Sequence, residues 1–141
     1  MTMHNYAAGS KYADMIKKMH GAETSGSQLY FVLAFLAKEK GLDDLADAML
    51  KNAMEDSLHG GMYGAMLGKG SVDDASFWKQ VVSLYRLEAG AREPLQAMAD
   101  EVRAGGEEEL ARSIESTIGE ELEHARRLEA VFKARGIDFS K

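Results

Sequence analysis

The two halves of this chain repeat each other at an offset of 65 residues. Shifting the sequence by that offset places Gly41 on Gly106 and carries an acid-x-x-His segment of the first half onto one in the second half. A repeat of this size is one supersecondary unit, which cannot bury its apolar face alone and needs a second unit to cover it. The sequence therefore predicts two related units that pack against each other.

Apolar residues recur at helical spacing in four segments that glycines separate. We predict helices over residues 10–39, 43–67, 75–104 and 107–135, with a kink in the third at Pro94. Aromatic and β-branched residues are too sparse for a sheet. The predicted fold is all-α: a single domain over residues 1–141, built as a four-helix bundle of two helical hairpins.

Composition excludes several functions. A net charge of −6 without a basic cluster argues against nucleic-acid binding. The longest apolar run, residues 29–37, is far shorter than the roughly 20 residues that span a bilayer, so we expect no membrane segment. The first residues have no apolar signal core, which favours a cytoplasmic location. Because the chain has no cysteine, any metal must be bound by oxygen and imidazole.

Each half carries one glutamate on its first predicted helix and an acid-x-x-His on its second. The candidate metal ligands are Glu23, Asp56 and His59 in the first half, and Glu88, Glu121 and His124 in the second. The glutamate precedes the acid by 33 residues in both halves, so the groups stand at matching heights across each hairpin. Four carboxylates balance two divalent ions, and two imidazoles favour iron or manganese over calcium or magnesium.

Other interpretations of these residues stay open. A single acid-x-x-His segment on a helix is usually a solvated surface, and a bundle without metal is the alternative to a metal site. Glu55 and Glu120 lie four residues before the histidines, and they could share the histidine face in place of Asp56 and Glu121.

Three further residues lie near the predicted ligands. Tyr30 follows Glu23 by two helical turns, and its hydroxyl could hydrogen-bond a ligand carboxylate, which makes it our candidate catalytic residue. His20 and Tyr85 each precede one of the two glutamates by three residues. For both, a packing or surface role is the simpler expectation.

These residues resemble the rubrerythrin branch of the ferritin-like superfamily, in which a Glu from each of two helices and a Glu-x-x-His from each of the other two bind the metals. The stretches that carry the resemblance are residues 21–23, 29–31, 41–42, 55–59 and 120–124, and the likeness extends from about Tyr12 to Gly136. It implies two iron ions, with manganese or a mixed pair as alternatives. It also implies reduction of hydrogen peroxide or dioxygen, which protects against oxidative stress.

The chain departs from rubrerythrins at two points. It lacks the cysteines of a rubredoxin domain, so electrons must come from an external donor such as a rubredoxin-like protein. Ala91 stands where rubrerythrins usually have a further glutamate, so the site is closer to the six-ligand pattern of bacterioferritin-type centres. A ferroxidase or iron-binding protein and a manganese catalase-like centre are the alternative functions.

The connection between the second and third predicted helices is short. These helices run parallel in a ferritin-like bundle, so the chain must cover about 30 Å between them. Residues 68–74 reach at most about 25–28 Å when fully extended. We therefore expect a domain-swapped homodimer, in which each bundle draws on both chains; shorter helices would instead close the gap within one chain.

Overall fold

A computed structural model describes residues 3–140 and shows five helices and no strand in that range. The helices are α1 (Ala13–Glu39), α2 (Asp43–Met66), α3 (Asp74–Ala89), α4 (Arg92–Ala104) and α5 (Glu108–Arg135). Two compact units divide the chain after Val72, with α1 and α2 in the first and the other helices in the second. The prediction of an all-α protein is confirmed. None of the helices in residues 3–140 combines the length and the apolar character that crossing a bilayer requires.

The prediction of one continuous third helix was wrong, because residues 75–104 form two helices. α3 ends at Ala89 and α4 begins at Arg92. Pro94 has no N–H to donate to the carbonyl of Gly90, four residues earlier, and its ring would collide with that carbonyl in a continuous helix. The break therefore precedes the proline. Pro94 itself lies in the first turn of α4, where a missing N–H costs little.

The turns that close the two helical hairpins match residue for residue. Gly41 and Gly106 adopt the left-handed conformation, with φ of 71° and 90°. The N–H of Leu42 donates to the carbonyl of Ala37 at 2.9 Å, and the equivalent N–H of Glu107 donates to Val102 at 3.2 Å. The repeat seen in the sequence thus extends to the backbone of both turns.

Small residues fill the interface between α1 and α2. Ala34, Ala37, Ala46 and Ala53 are each at most 4% exposed. A Cβ added to Gly60 would lie 3.4 Å from Thr24 Oγ1, in van der Waals contact with α1. The absence of large side chains lets the two helices approach closely and fixes their mutual register.

The second unit combines a small-residue interface with an aromatic cluster. Ala99 of α4 and Ala111 of α5 are fully buried. Where α3 meets α5, the ring of Phe132 contacts those of Trp78, Tyr85 and Phe139 at centroid distances of 5.3–6.4 Å. Phe132 is itself fully buried, so this cluster is the apolar core between α3 and α5.

Two glycines of the first unit should respond in opposite ways to alanine. Gly61 lies inside α2 with open space around its Cα, so we expect Gly61→Ala to raise the free energy of unfolding by about 0.5–1 kcal/mol through helix propensity. Gly41 has a φ of 71°, so Gly41→Ala should lower it by about 1–2 kcal/mol. Urea unfolding followed by circular dichroism measures both. Equal effects of the two variants would contradict this account of the turn.

Candidate metal centre

Helices α1 and α2 bring together the first three predicted ligands. Glu23, Asp56 and His59, which we call the N-terminal triad, offer ligand atoms within 4.8 Å of one another. His59 Nδ1 lies 3.8 Å from Glu23 Oε2 and 4.0 Å from Asp56 Oδ1. The carboxylate side chains are 24% and 27% exposed and the imidazole is 52% exposed, so all three groups are partly open to solvent.

Helices α3 and α5 bring together the other three. Glu88, Glu121 and His124, the C-terminal triad, also offer ligand atoms within 4.8 Å of one another. His124 Nδ1 lies 3.3 Å from Glu88 Oε2 and 3.7 Å from Glu121 Oε2. The structure therefore gathers each half of the predicted ligand set within its own unit, with the same imidazole nitrogen turned toward the carboxylates.

The helix positions of the predicted ligands explain why each triad forms. Asp56 and His59 are three residues apart on α2, as Glu121 and His124 are on α5, so each pair shares one helix face. In the first unit, Gly60 is buried against α1 beside Glu23: a Cβ added to it would lie in ordinary van der Waals contact, 3.7 Å from the Cβ of Glu23.

The structure shows which of the two neighbouring acids in each unit lies beside the histidine. Asp56 and Glu121 are half-buried members of the triads, whereas Glu55 and Glu120 are exposed. The three-residue spacing from acid to histidine, rather than the four-residue spacing, therefore places the carboxylate beside the imidazole in both units.

The two carboxyl groups of the C-terminal triad lie next to each other. A hydrogen bond between them, in which Glu121 carries the proton, lowers the pKa of Glu88 and raises the pKa of Glu121. Glu121 is thus the more readily protonated of the two, because two adjacent carboxylates repel when both are ionised. A divalent cation bound between them would relieve the repulsion.

The remaining predicted residues have separate surroundings. Tyr30 is half-buried on α1, and its hydroxyl makes no hydrogen bond with any residue in 3–140, so its contact with a ligand carboxylate stays a prediction. Tyr85 packs its ring against Phe132 and Phe139 at 5.5 and 5.2 Å. Ala91 lies in the break between α3 and α4.

His20 links α1 to α2 and to the turn after α2, a role that sequence reasoning missed. Its Nε2 lies 2.6 Å from Lys69 Nζ, and its Nδ1 lies 2.9 Å from the carbonyl of Gly60. Because a lysine ammonium can only donate, Nε2 accepts and Nδ1 donates to Gly60. Lys69 is 49 residues from His20, and no pattern in the sequence joins the two.

Comparisons with family models, with curated proteins and with solved structures found no match for this chain. The resemblance to rubrerythrins therefore stays a prediction that rests on the residues quoted above. What the structure supplies is the arrangement itself: two units, each holding two carboxylates and one imidazole close enough to bind one cation.

We expect the crowded carboxyl pair to destabilise the metal-free protein. Replacing Glu121 by glutamine removes one charge and lets the amide donate to Glu88, so Glu121→Gln should raise the melting temperature at neutral pH. The gain should vanish as pH falls below 4.5, the ordinary pKa of this group, where Glu121 is protonated in both the folded and unfolded states.

Thermal unfolding of chelator-treated protein across a pH series tests this expectation. Glu120→Gln, a change at the exposed neighbour, is the matched control and should have no effect. A marked loss of stability in Glu121→Gln would show instead that the carboxylate is a structural group.

Proposed function

We propose that this chain is a non-haem di-iron protein that reduces hydrogen peroxide, or dioxygen, with electrons from an external donor. The observation that carries the proposal is the pair of matched triads, which stand at equivalent positions of a repeated sequence and contain only carboxylates and imidazole. Two such triads together provide the six ligands of a dimetal carboxylate centre.

The donor atoms fit first-row divalent ions. Ligands at about 2.1 Å from one ion are about 3.0 Å apart when at right angles and about 4.2 Å apart when opposite. The separations from imidazole Nδ1 to carboxylate oxygen, 3.3–4.0 Å, fall in this range. Four carboxylates offset the charge of two divalent ions, and imidazole favours iron or manganese over magnesium or calcium.

Exposed apolar side chains support a pairing of the units. A stripe along α1, formed by Leu29, Val32, Leu33 and Leu36, has side chains between 38% and 59% exposed. In the second unit, Leu84 and Leu87 on α3 are 56% and 72% exposed. A unit that consists of one layer of helices has no second layer to bury its apolar stripe. We propose that a unit of the second kind covers the first and completes the six-ligand centre.

The connection between α2 and α3 favours a second copy of the chain as the source of that unit. Met66 lies about 10 Å beyond His59 along α2, and Asp74 lies about 21 Å before Glu88 along α3. Residues 67–73 must span both of these distances and any sideways step between the helices. They are not fully extended, because the N–H groups of Gly68 and Lys69 donate back to the carbonyls of Ala65 and Gly64 at the end of α2.

That short connection supports a homodimer that exchanges units. α2 ends at Met66 and α3 begins at Asp74, each within one residue of the predicted position, so the estimate of the gap made from the sequence still applies. We expect light scattering to give the mass of a dimer at micromolar concentration. A monodisperse monomer that still binds two ions would rule out the exchange and leave a centre within one chain.

Peroxide reduction at this centre would need little chemistry from the protein side chains themselves. Peroxide reduction consumes one H₂O₂, two electrons and two protons and yields two waters. Two bound iron ions would supply the two electrons by passing together from the ferrous to the ferric state. The six predicted ligands would hold the ions, and Tyr30 would orient a ligand carboxylate through its hydroxyl. With no cysteine in the chain, the electrons come from a separate reductant, such as a rubredoxin-like protein in the cytoplasm.

Elemental analysis followed by a peroxide reaction tests the proposal. Purified protein should contain close to two iron ions per six-ligand centre. Addition of peroxide to the reduced form should produce a visible absorption change within seconds, with one peroxide consumed per two irons oxidised. His124→Ala should lose at least half of the iron and most of the rate, whereas the exposed Glu120→Gln should change neither.

The other outcomes distinguish the alternatives. Peroxide loss without any reductant would favour a manganese catalase-like centre. Rapid oxidation of iron by dioxygen in a large assembly would favour a ferroxidase. Protein that binds neither iron nor manganese would contradict the proposal and favour a metal-free interaction module.

A further inference from the structure

The two triads differ in the length of one ligand. Asp56 of the N-terminal triad occupies the place that Glu121 holds in the C-terminal triad. An aspartate has one methylene less, so its carboxylate reaches less far from the helix. The imidazole Nδ1 lies 4.0 Å from the carboxylate oxygen of Asp56 in the N-terminal triad and 3.7 Å from that of Glu121 in the C-terminal triad.

The helices that carry the two histidines also differ. α2 continues after His59 through glycines at positions 60, 61 and 64, which are poor helix formers. The equivalent positions of α5, after His124, are Ala125, Arg126 and Glu129. Arg126 pairs with Glu123 at 3.4 Å, and Glu129 pairs with Lys133. The backbone that supports the C-terminal imidazole is therefore the more strongly helical of the two.

The exposure of the imidazole follows the same order, whereas that of the carboxylates does not: these are 24% and 27% exposed in the N-terminal triad and 27% and 34% exposed in the C-terminal triad. The imidazole is 52% exposed in the N-terminal triad and 44% exposed in the C-terminal triad. Formal charge does not separate the triads, because each has two carboxylates and one imidazole. The triads differ in how close together their groups lie before an ion binds. Groups that already lie close together lose less conformational freedom when they bind an ion.

We propose that the two metal positions load in order, with the C-terminal triad binding its ion first and more tightly and the N-terminal triad binding a second, more readily exchanged ion. This inference rests on the proposed function, since it requires both triads to be metal sites. It assigns Asp56 as the residue that weakens the second position.

Titration of the full-length, metal-free protein with Co(II) tests the order, because Co(II) is accepted by carboxylate and imidazole ligands and its visible absorption reports binding. Equilibrium dialysis supplies the stoichiometry. We expect two steps, the first about tenfold tighter than the second, which is the scale on which ligand placement affects metal affinity. His124→Ala should abolish the tighter step, whereas His59→Ala should keep it and lose the weaker one.

Asp56→Glu gives an independent test in a protein that keeps every ligand. It should tighten the second step and narrow the difference between the two, while Glu55→Gln, at the exposed neighbouring position, should leave both steps unchanged. If histidine variants fail to fold by circular dichroism, the outcome with Asp56→Glu decides.

Several results would overturn the order while leaving the metal site intact. These are two equal steps in the wild-type protein, or loss of the tighter step in His59→Ala. No change in the ratio of affinities in Asp56→Glu would overturn the assignment of Asp56 as the residue that weakens the second position. Absence of any Co(II) binding to the wild-type protein would instead contradict the proposed function and the order together.

Discussion

Close packing between a ligand-bearing helix and its partner is the constraint on which both triads depend. An acid and a histidine three residues apart define a face on one helix, but the third group must come from a neighbouring helix at the right height. In the first unit, buried alanines and Gly60 bring α1 close enough for Glu23 to reach that face. A larger residue at these interface positions would push the helices apart and separate the carboxylates.

Much of this arrangement could be predicted from the sequence because it depends on local spacing and on the repeat. The offset between Gly41 and Gly106 correctly related the two turns, and the helical period correctly placed the acid beside the histidine. The break in the third predicted helix was assigned to Pro94 rather than to Gly90 and Ala91. A proline acts on the carbonyl four residues before it, so the disruption appears upstream.

Contacts between distant residues lay beyond sequence reasoning. Neither the bond from Lys69 to His20 nor the ring packing of Tyr85 has a signature in spacing or composition. His20 and Tyr85, which each precede a predicted ligand by three residues, both hold helices against their neighbours. The solvent-exposed fraction of each imidazole could not be predicted either, because it depends on the packing around the side chain and not on the helical period.

The repeat preserves the triad residues, while the packing that holds them differs. In the first unit, α1 runs unbroken from Glu23 to the turn, and small residues set its distance from α2. In the second unit, the helix stops just after Glu88, and the aromatic cluster around Phe132 holds α3 against α5 instead. Since a different set of contacts positions each glutamate, a change in one unit can alter the geometry of its own triad without altering the other. This independence is what permits two chemically similar half-sites to differ in how firmly each would hold an ion.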